Sequence, residues 1–558
     1  MASRMVRIQR GGEKVQDFKT TPMWLETPTG FIAVSWHSRS ADVLRGSLAV
    51  VIVPGVGLEE RTLSVSVSPL VKTLVDLGIP SLVVNVEGTA NSSSTMQDHK
   101  VADAWVGDVR VALEHVRGLG FEHVVMVAVR LGALIVLNAV RPDEVDAMVL
   151  WAPVLDGRRF VRESTLLAES SETGTTGPES DSVPIGSFEI HRVVLDSIKS
   201  LKVPLSARDD TPKVLIVDDP DRLDTASLST LGSPAIHVGP ETSRWIHVSS
   251  DQARVPERDV GHIAQWIFQM SKPWAQVEAL VPVAETHSFV HNQTRLVEQF
   301  VRFGDGDMVG VLAHQSDSPS RQPALAIAIA LSPQPGRSLI ELARDEASNG
   351  HPTLRFEHTS NGLSSRRASQ GWGELYSSSN GSEMTAALQW LETQGEVETI
   401  AIGYCAGAIA ALSAGPVSSL RAVVAINPAL FVPGPSWRTF DGVSGGWSRR
   451  FVDRIDHRNF AARVRWRYRV ELRKSSRSYR SLVGLSSRNI GVLLQYGASD
   501  IGLAHFSRSR NRTSTSKRSA DAVRIAQYPN LGHALTGLDS RARLFRDLRD
   551  FIEQISVR

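Results

Sequence analysis

The chain carries the same order of sequence patterns twice, and this repeat limits the folds that it can adopt. The strand-like segments "LAVVIVPGVG" and "LAIAIALSPQ" begin at Leu48 and Leu325, which are 277 positions apart. The hairpin-like segments before them end at His37 and His314, again 277 positions apart. A chain of 558 residues is also too long for one ordinary hydrophobic core. We therefore predict two copies of one fold.

Each copy alternates continuous apolar strands with helices. The segments "VRVALEHVRGLGFEHVVMVAVRLGALIVL" and "MTAALQWLETQGEVETIAIGYCAGAIAAL" illustrate this in the first and second copy. Such alternation predicts an α/β fold with a mostly parallel, doubly wound sheet that is covered on both faces. We place an N-terminal domain at residues 1–275 and a C-terminal domain at residues 285–558. Each is expected to carry a cap insertion, which spans about 433–489 in the C-terminal domain.

The segment "GYCAG" places Cys405, the only cysteine of the chain, between a strand pattern and a helix pattern. Gly403 and Gly407 stand two positions to either side of it. This is the spacing of a nucleophile elbow, a strained turn that needs small flanking residues and lifts the nucleophile over the carboxyl edge of the sheet. The pattern predicts that Cys405 is a nucleophile and that the backbone N–H of Ala406 stabilises an oxyanion.

A thiol nucleophile needs a base, and the base needs a group that orients it. Hydrolases with this elbow place the three in the chain order nucleophile, acid, histidine. Asp500 follows the segment "IGVLLQYG", and His533 follows "RIAQYPNLG". We expect Asp500 to orient the imidazole and His533 to take the thiol proton. Gln334 is the expected second oxyanion donor, because its neighbours Pro333 and Pro335 have no N–H.

Each of these residues also has a plainer interpretation. A lone buried cysteine more often fills a hydrophobic core than acts as a nucleophile. Asp500 taken alone could be a turn residue, and His533 a loop residue. The elbow spacing and the ordered acid and histidine together favour the catalytic triad.

The first copy departs from this pattern. Its elbow reads "AVRLG", so that Arg130 stands in the position of the nucleophile. A guanidinium is permanently protonated and cannot attack a carbonyl. The segment aligned with "YPNLGHA" is "GPETSRW", which has no histidine, although Asp221 and Asp224 lie near the acid position. We therefore predict that the N-terminal domain is catalytically inactive. Arg130 could bind an anion, or it could form a structural ion pair.

Several of these segments resemble known families. "GYCAG" is similar to the elbow of the dienelactone hydrolases, which use a Cys-Asp-His triad. "GYCAGAIAA", "AVVAINPALFV" and "WSRRFVDRIDHRNFAARV" resemble hydrolase-like proteins of bacterial exopolysaccharide clusters. "VRLGALIVL" and "MVLWAPVLDGRRFVRES" resemble hydrolase-like proteins associated with exosortase systems. The resemblance implies the α/β-hydrolase fold for each copy and a genomic association with surface polysaccharide, but it does not imply a substrate.

The predicted cap of the C-terminal domain is strongly basic. From Arg449 to Arg488 there are 13 Arg or Lys residues and 3 Asp or Glu residues. Arg465, Arg467 and Arg469 lie in the middle of this run and are candidates for anion binding. A charge run often forms only a solvated face. The alternatives are an anionic small-molecule or carrier-bound acyl substrate, a peripheral contact with an anionic membrane, or an acidic protein partner. We expect no nucleic-acid partner, because no recognised nucleic-acid module accompanies the charge.

Composition adds limits on location and chemistry. The net charge is +2, and 42% of the residues are hydrophobic. No apolar run approaches the roughly 18 residues that span a bilayer. The segment "MASRMVRIQRGGEKVQDFK" has no apolar core of a signal peptide, and one cysteine cannot form an internal disulfide. We expect a cytoplasmic protein with neither a cofactor nor a metal ion.

Together these observations predict a hydrolase that acts on an ester or thioester through Cys405, Asp500 and His533. Two alternatives stay open. The same residues could transfer an acyl group in surface polysaccharide biosynthesis, or the protein could be a non-enzymatic assembly factor or scaffold.

Overall fold

Two central sheets organise the protein. The computed structural model describes residues 18–39, 44–46, 48–62, 65–169, 181–185, 188–204, 213–222, 234–239, 241–246, 253–274, 277–279, 286–305, 308–316, 322–329, 333–359, 363–364, 379–428, 482, 484–485, 487–498, 500, 502–503, 523–533, 535 and 537–556. The predicted cap at 433–489 lies almost wholly outside these residues, as do Arg465, Arg467 and Arg469.

The first large sheet and two separate two-stranded sheets are formed by strands between Phe18 and Ala279. Their strands are β1 (Phe18–Glu26), β2 (Phe31–Arg39), β3 (Leu44–Gly46), β4 (Ala49–Val53), β5 (Ser81–Asn85), β6 (Val124–Val129), β7 (Ala147–Trp151), β8 (Ser182–Ile185), β9 (Phe188–His191), β10 (Lys213–Asp218), β11 (Ala235–Val238) and β12 (Val277–Ala279). The sheet has the order β1-β2-β5-β4-β6-β7-β10-β11, while β12 pairs with β3 and β8 with β9.

The second sheet comes from the C-terminal domain. Its strands are β13 (His287–His291), β14 (Thr294–Phe303), β15 (Met308–Gln315), β16 (Ala324–Ala328), β17 (Thr353–Phe356), β18 (Thr399–Tyr404), β19 (Leu420–Ile426), β20 (Gly491–Gly497) and β21 (Val523–Tyr528). They lie in the order β13-β14-β15-β17-β16-β18-β19-β20-β21.

The strand orders of the two sheets match once β13 is set aside. In each, an antiparallel hairpin forms one edge, β1 with β2 and β14 with β15. The second hairpin strand pairs antiparallel with β5 or β17, and the remaining strands run parallel. The positions of β4 and β5, like those of β16 and β17, are exchanged relative to the chain. This is the strand order of the α/β-hydrolase fold, so the chain consists of two such domains in tandem, as predicted.

Helices cover both faces of each sheet. They are α1 (Val67–Asp76), α2 (Val101–Gly118), α3 (Leu131–Ala139), α4 (Gly157–Glu169), α5 (Arg192–Ser200), α6 (Glu257–Ser271), α7 (Pro333–Ser348), α8 (Ser379–Thr393), α9 (Ala406–Leu412) and α10 (Leu538–Ser556). Shorter 3-10 helices include Gly57–Thr62.

The central strands are apolar on both faces because successive side chains point to opposite sides. In β16, Ala324 and Ala326 pack toward α8 and α9, whereas Leu325 and Ile327 pack toward α7 and α10. This layering explains why the central strands read as continuous apolar runs. The domain limits at 275 and 285 stay a prediction. Strand β12 lies between them and pairs with β3 of the N-terminal domain.

Candidate active site

The strained turn at Cys405 lies between β18 and α9. Cys405 has φ 53° and ψ −111°, and its backbone N–H donates to the carbonyl of Ile426 at 2.9 Å. A Cβ atom at Gly403 would lie 2.1 Å from the carbonyl oxygen of Gly407, so position 403 admits only glycine without rearrangement. Cys405 is partly buried. The turn therefore has the backbone form that the elbow spacing predicts.

Asp500 and His533, which are 33 positions apart, meet at the carboxyl edge of the second sheet. His533 Nδ1 lies 2.5 Å from Asp500 Oδ2. The other carboxylate oxygen of Asp500 accepts the N–H of Gly502 at 2.7 Å, and Asp500 is 4% exposed. A buried carboxylate with both oxygens engaged fixes the orientation and the tautomer of the ring.

The side chain of His533 also forms a hydrogen bond with Cys405. Burial alone would lower the pKa of His533, but the charges of Asp500 and Cys405 and the hydrogen bonds to both raise it to about 10. The imidazole thus joins the acid and the thiol, and it stays protonated at neutral pH. The structure brings together the three residues that the sequence suggested.

Two polar residues outside the predicted set hold the backbone of His533. The hydroxyl of Tyr404 donates to the His533 carbonyl at 2.5 Å, and Asn427 Nδ2 donates to the same oxygen at 3.2 Å. Asn427 Oδ1 accepts the N–H of Gly497 at 2.9 Å, which ties the end of β20 to the same network. Tyr404 is the last residue of β18 and precedes the nucleophile, and Asn427 directly follows β19 in "INPAL". Polar residues at strand ends were the available signal.

The two predicted oxyanion donors lie at the starts of helices. Ala406 is the first residue of α9, and Gln334 is the second residue of α7. The first N–H groups of a helix have no acceptor within it. Residues 330–332, which lead into α7, are outside the described part of the chain. The joint role of Ala406 and Gln334 therefore stays a prediction.

The elbow of the N-terminal domain has the same backbone form. Arg130 has φ 54° and ψ −122°, and its N–H donates to the carbonyl of Trp151 at 3.1 Å. Its side chain is buried, and Nη1 donates to the carbonyl of Ala152 at 3.1 Å. Burial raises the pKa of Asp218, while the charges of Arg222 and Arg130 oppose that rise. Both roles predicted for Arg130, a structural ion pair and the binding of an external anion, stay predictions.

Sequence reasoning missed one buried acid whose pKa the charge of Arg130 influences. Asp218 ends β10 and is 2% exposed, whereas Asp221 is exposed and Asp224 lies outside the described residues. Four acids stand close together in "VDDPDRLD", and the sequence alone does not indicate which of them ends the strand and is buried.

Two further searches cover the part of the chain that the structure describes. Among those residues, no group of three or more His, Cys, Asp or Glu side chains is placed to hold a metal ion. None of the helices found there combines the length and apolarity needed to cross a bilayer.

No protein-family model matches this sequence, and no curated protein matches it significantly. Solved structures resemble about half of the chain each. Est1E from Butyrivibrio proteoclasticus is 14% identical, with a TM-score of 0.30, over 45% of this chain and 98% of its own. A putative hydrolase from Agrobacterium vitis S4 is 16% identical, with a TM-score of 0.31, over 46% and 100%. An α/β serine hydrolase homologue from Coxiella burnetii is 15% identical, with a TM-score of 0.27, over 45% and 96%. All three scores are below 0.5, so the fold assignment rests on the strand order.

Proposed function

We propose that the C-terminal domain hydrolyses an ester or thioester by covalent catalysis at Cys405. One observation carries this proposal: the His533 ring contacts Asp500 on one side and Cys405 on the other. In this arrangement the imidazole of His533 can hold the proton that the thiol of Cys405 gives up when it attacks. The strained elbow holds the sulfur at the edge of the sheet, where an acyl group can approach.

The reaction follows from these positions. The Cys405 thiolate attacks the carbonyl carbon, and the carbonyl electron pair moves to the oxygen. The N–H groups of Ala406 and Gln334 are the proposed donors to this oxyanion. Its collapse expels the alkoxide or thiolate leaving group, which takes the proton of His533. Neutral His533 then removes a proton from water as the water attacks the acyl-enzyme, and collapse of the second intermediate releases the carboxylic acid and restores the thiolate.

The single cysteine makes the nucleophile simple to test. We expect wild-type protein to hydrolyse 4-nitrophenyl acetate, and one equivalent of iodoacetamide to abolish turnover in proportion to the labelled Cys405. Cys405→Ala should be inactive, and His533→Ala should slow the alkylation. The matched control is Asn138→Ala, since Asn138 lies in the N-terminal domain and bonds only backbone carbonyls there. Unchanged turnover in folded Cys405→Ala would contradict the proposal.

Acyl transfer uses the same residues and differs only in the acceptor. The resemblance to exopolysaccharide-associated proteins motivates this second candidate. A polysaccharide or sugar hydroxyl would then replace water in the second step. Product analysis with and without a sugar acceptor separates the two, because transfer gives an acylated sugar in place of the free acid. A scaffold role predicts no turnover and a thiol that reacts like a free model thiol.

The basic run around Arg465, Arg467 and Arg469 supports an anionic acyl substrate. A dense positive field speeds the capture of anions and is screened by salt over roughly 8–10 Å. We expect acyl-coenzyme A or another anionic donor to be preferred over neutral esters at low salt. Replacing the three arginines with Gln should remove this salt dependence while neutral esters are turned over as before. If the preference for anionic donors did not change with salt, the basic run would instead be a solvated face or a contact surface for a membrane or a protein partner.

We also propose that the N-terminal domain carries no chemistry of its own. Arg130 occupies the nucleophile position with a buried guanidinium, and such a group cannot attack a carbonyl. The domain would then bind a ligand, for example an anion at Arg130, or serve as a scaffold for the other domain.

A further inference from the structure

The hairpin β8–β9 of the N-terminal domain lies against the segment of the C-terminal domain that runs from His533 into α10. Its own domain holds it firmly. His191 N donates to the carbonyl of Met96 at 3.0 Å, and Gln97 Nε2 donates to the carbonyl of Glu189 at 2.7 Å. Ser182 Oγ donates to the side-chain oxygen of Gln97 at 2.6 Å. The hairpin is therefore a fixed part of the N-terminal domain.

From this hairpin, the carboxylate of Glu189 reaches the other domain. Oε1 accepts the N–H of Gly537 at 2.7 Å, and Oε2 accepts Nη1 of Arg541 at 2.8 Å. The side chain of Glu189 is 1% exposed and that of Arg541 is 9% exposed. Burying a carboxylate is costly unless it is paired and hydrogen-bonded, and here both oxygens are engaged. The contact is therefore a buried ion pair in which both carboxylate oxygens accept hydrogen bonds.

Both partners of Glu189 belong to the segment that carries His533. Arg541 Nη1 also donates to the carbonyl of Leu535, two residues after His533. Leu535 has φ 57° and Gly537 has φ 105°, so the chain turns tightly between His533 and α10. A Cβ atom at Gly537 would lie 2.6 Å from the carbonyl of Asn530, which closes this turn on itself. A turn of this kind keeps its shape only while its surroundings fix it.

The His533 loop therefore has two anchors. On one side, Tyr404 and Asn427 of its own domain bind the His533 carbonyl. On the other side, Glu189 binds Gly537 and Arg541. The ring between these anchors must contact Asp500 and Cys405 at once. A displacement of about 1 Å at a catalytic group can cost on the order of 100-fold in rate.

We propose that Glu189 of the N-terminal domain is a positioning residue for His533, so that the catalytic histidine of one domain is held in register by a carboxylate of the other. This inference rests on the proposed function. It gives the N-terminal domain a role that needs no nucleophile: it completes the site of its neighbour.

The test compares three variants in the full-length protein, with 4-nitrophenyl acetate and iodoacetamide as probes. Glu189→Ala should lower kcat roughly 10- to 100-fold with little change in KM. The alkaline limb of kcat/KM, set by His533, should move to lower pH, because the ring loses its contact with Asp500. Glu189→Gln keeps an acceptor for Gly537 and should recover part of the rate. Arg541→Gln removes the partner from the other side and should match Glu189→Ala.

The matched control is Arg302→Ala. Arg302 Nη2 donates to the carbonyl of Thr20 at 2.8 Å, an interdomain bond on an exposed face. This variant should keep the wild-type kcat and pH profile. If Glu189 has only a structural role, Glu189→Ala should have a lower melting temperature, but its folded protein should keep the wild-type alkaline limb of kcat/KM. That result would overturn the inference. The inference would also be overturned if folded Glu189→Gln and folded Arg541→Gln both kept the wild-type kcat and the wild-type alkaline limb of kcat/KM. If wild-type protein itself has no turnover and an ordinary thiol, the proposed function fails first, and this inference falls with it.

Discussion

The charge of His533 is set by its neighbours. Burial favours the neutral ring, and the charges of Asp500 and Cys405 with their hydrogen bonds more than offset this, which brings the pKa of His533 to about 10. The folded value lies above the ordinary value of 6.5. The pairing therefore contributes its full stability below about pH 6.5, and this is lost as pH rises through about 10. In the proposed reaction, the leaving group takes this same proton.

Replacing Asp500 tests this account at the scale of one residue. Asp500→Asn removes the larger of the two charges that raise the pKa of His533, while the amide oxygen can still accept from the ring. We expect the alkaline limb of kcat/KM for 4-nitrophenyl acetate, corrected for spontaneous hydrolysis, to move down by about 2 pH units or more. We also expect kcat to fall by at least about 100-fold.

Asp539→Asn is the control for this change, because Asp539 is an exposed carboxylate at the start of α10, near the same loop. This variant should keep the wild-type kcat and the wild-type alkaline limb of kcat/KM. An Asp500→Asn protein with a wild-type limb would show that Asp500 does not set the charge of His533.

At the scale of elements, the two elbows share one backbone conformation, but the glycine that has the least space for a side chain stands at a different position in each. In the second elbow the closest approach is at Gly403, whose Cβ would lie 2.1 Å from the Gly407 carbonyl. In the first elbow Ala128 takes the equivalent position, and the closest approach moves to Gly132, whose Cβ would lie 2.4 Å from the Val53 carbonyl. At Gly407 the nearest atom, the Ala328 carbonyl oxygen, would be 3.0 Å away.

Alanine substitutions at these glycines should therefore differ in cost. We expect Gly403→Ala and Gly132→Ala each to destabilise the affected domain by about 3 kcal/mol or more, since a backbone carbonyl must move. Gly407→Ala should cost about 1 kcal/mol or less, because a shift of a few tenths of an ångström accommodates the methyl group. Urea unfolding of the three variants, followed by fluorescence, measures this order. Equal midpoints for Gly403→Ala and Gly407→Ala would contradict the packing described here.

The fold and the meeting of Cys405, Asp500 and His533 were predictable because their signals are local. Apolar strands, helix patterns and the glycine spacing each lie within short segments, and the order of acid and histidine follows from the chain. Tyr404 and Asn427 were harder to find because their role depends on where a distant loop packs. Glu189 could not be found from the sequence, since 348 positions separate it from Gly537 and nothing near it resembles a site. Contacts between domains depend on docking, which no local pattern encodes.

At the scale of the whole molecule, arginines of the C-terminal domain bind a loop of the N-terminal domain that follows β5. Arg337 donates to the carbonyls of Ala90 at 2.9 Å and Ser92 at 2.7 Å, and also to that of Ser94. Arg344 donates to the carbonyls of Asn91 at 2.6 Å and Ser92 at 3.0 Å. These bonds to buried or half-buried carbonyls join the domains through main-chain atoms, so they depend on the loop's shape more than on its side chains.

One carboxylate lies behind this contact. Glu298, which is fully buried, accepts from Arg344 at 3.0 Å through both oxygens and lies 2.6 Å from Nη1 of Arg355. Arg355 in turn donates to the side-chain oxygen of Asn91 at 3.0 Å. Burial would raise the pKa of Glu298, but the two arginines outweigh it and hold that pKa well below its usual range. Glu298 thus supplies one negative charge to the two arginines, Arg344 and Arg355, that contact the other domain.

Removing Arg344 should therefore uncouple the two domains. Arg344→Met leaves Glu298 with one arginine partner and removes the Arg344 bond to the Asn91 carbonyl, while the Ser92 carbonyl keeps its bond from Arg337. Breaking a buried ion pair in this way costs about 3–5 kcal/mol. We expect calorimetry at pH 7 to show one cooperative transition for wild-type protein and two for the variant. Because the folded pKa of Glu298 is depressed, its contribution is present above about pH 4.5 and is lost as pH falls. The difference in unfolding free energy between wild type and Arg344→Met should accordingly become smaller as pH falls from 5 to 3.

The control Arg302→Met, on the exposed interdomain bond to Thr20, should keep a single transition. A single transition in Arg344→Met, with an unchanged midpoint, would mean that the domains are joined elsewhere.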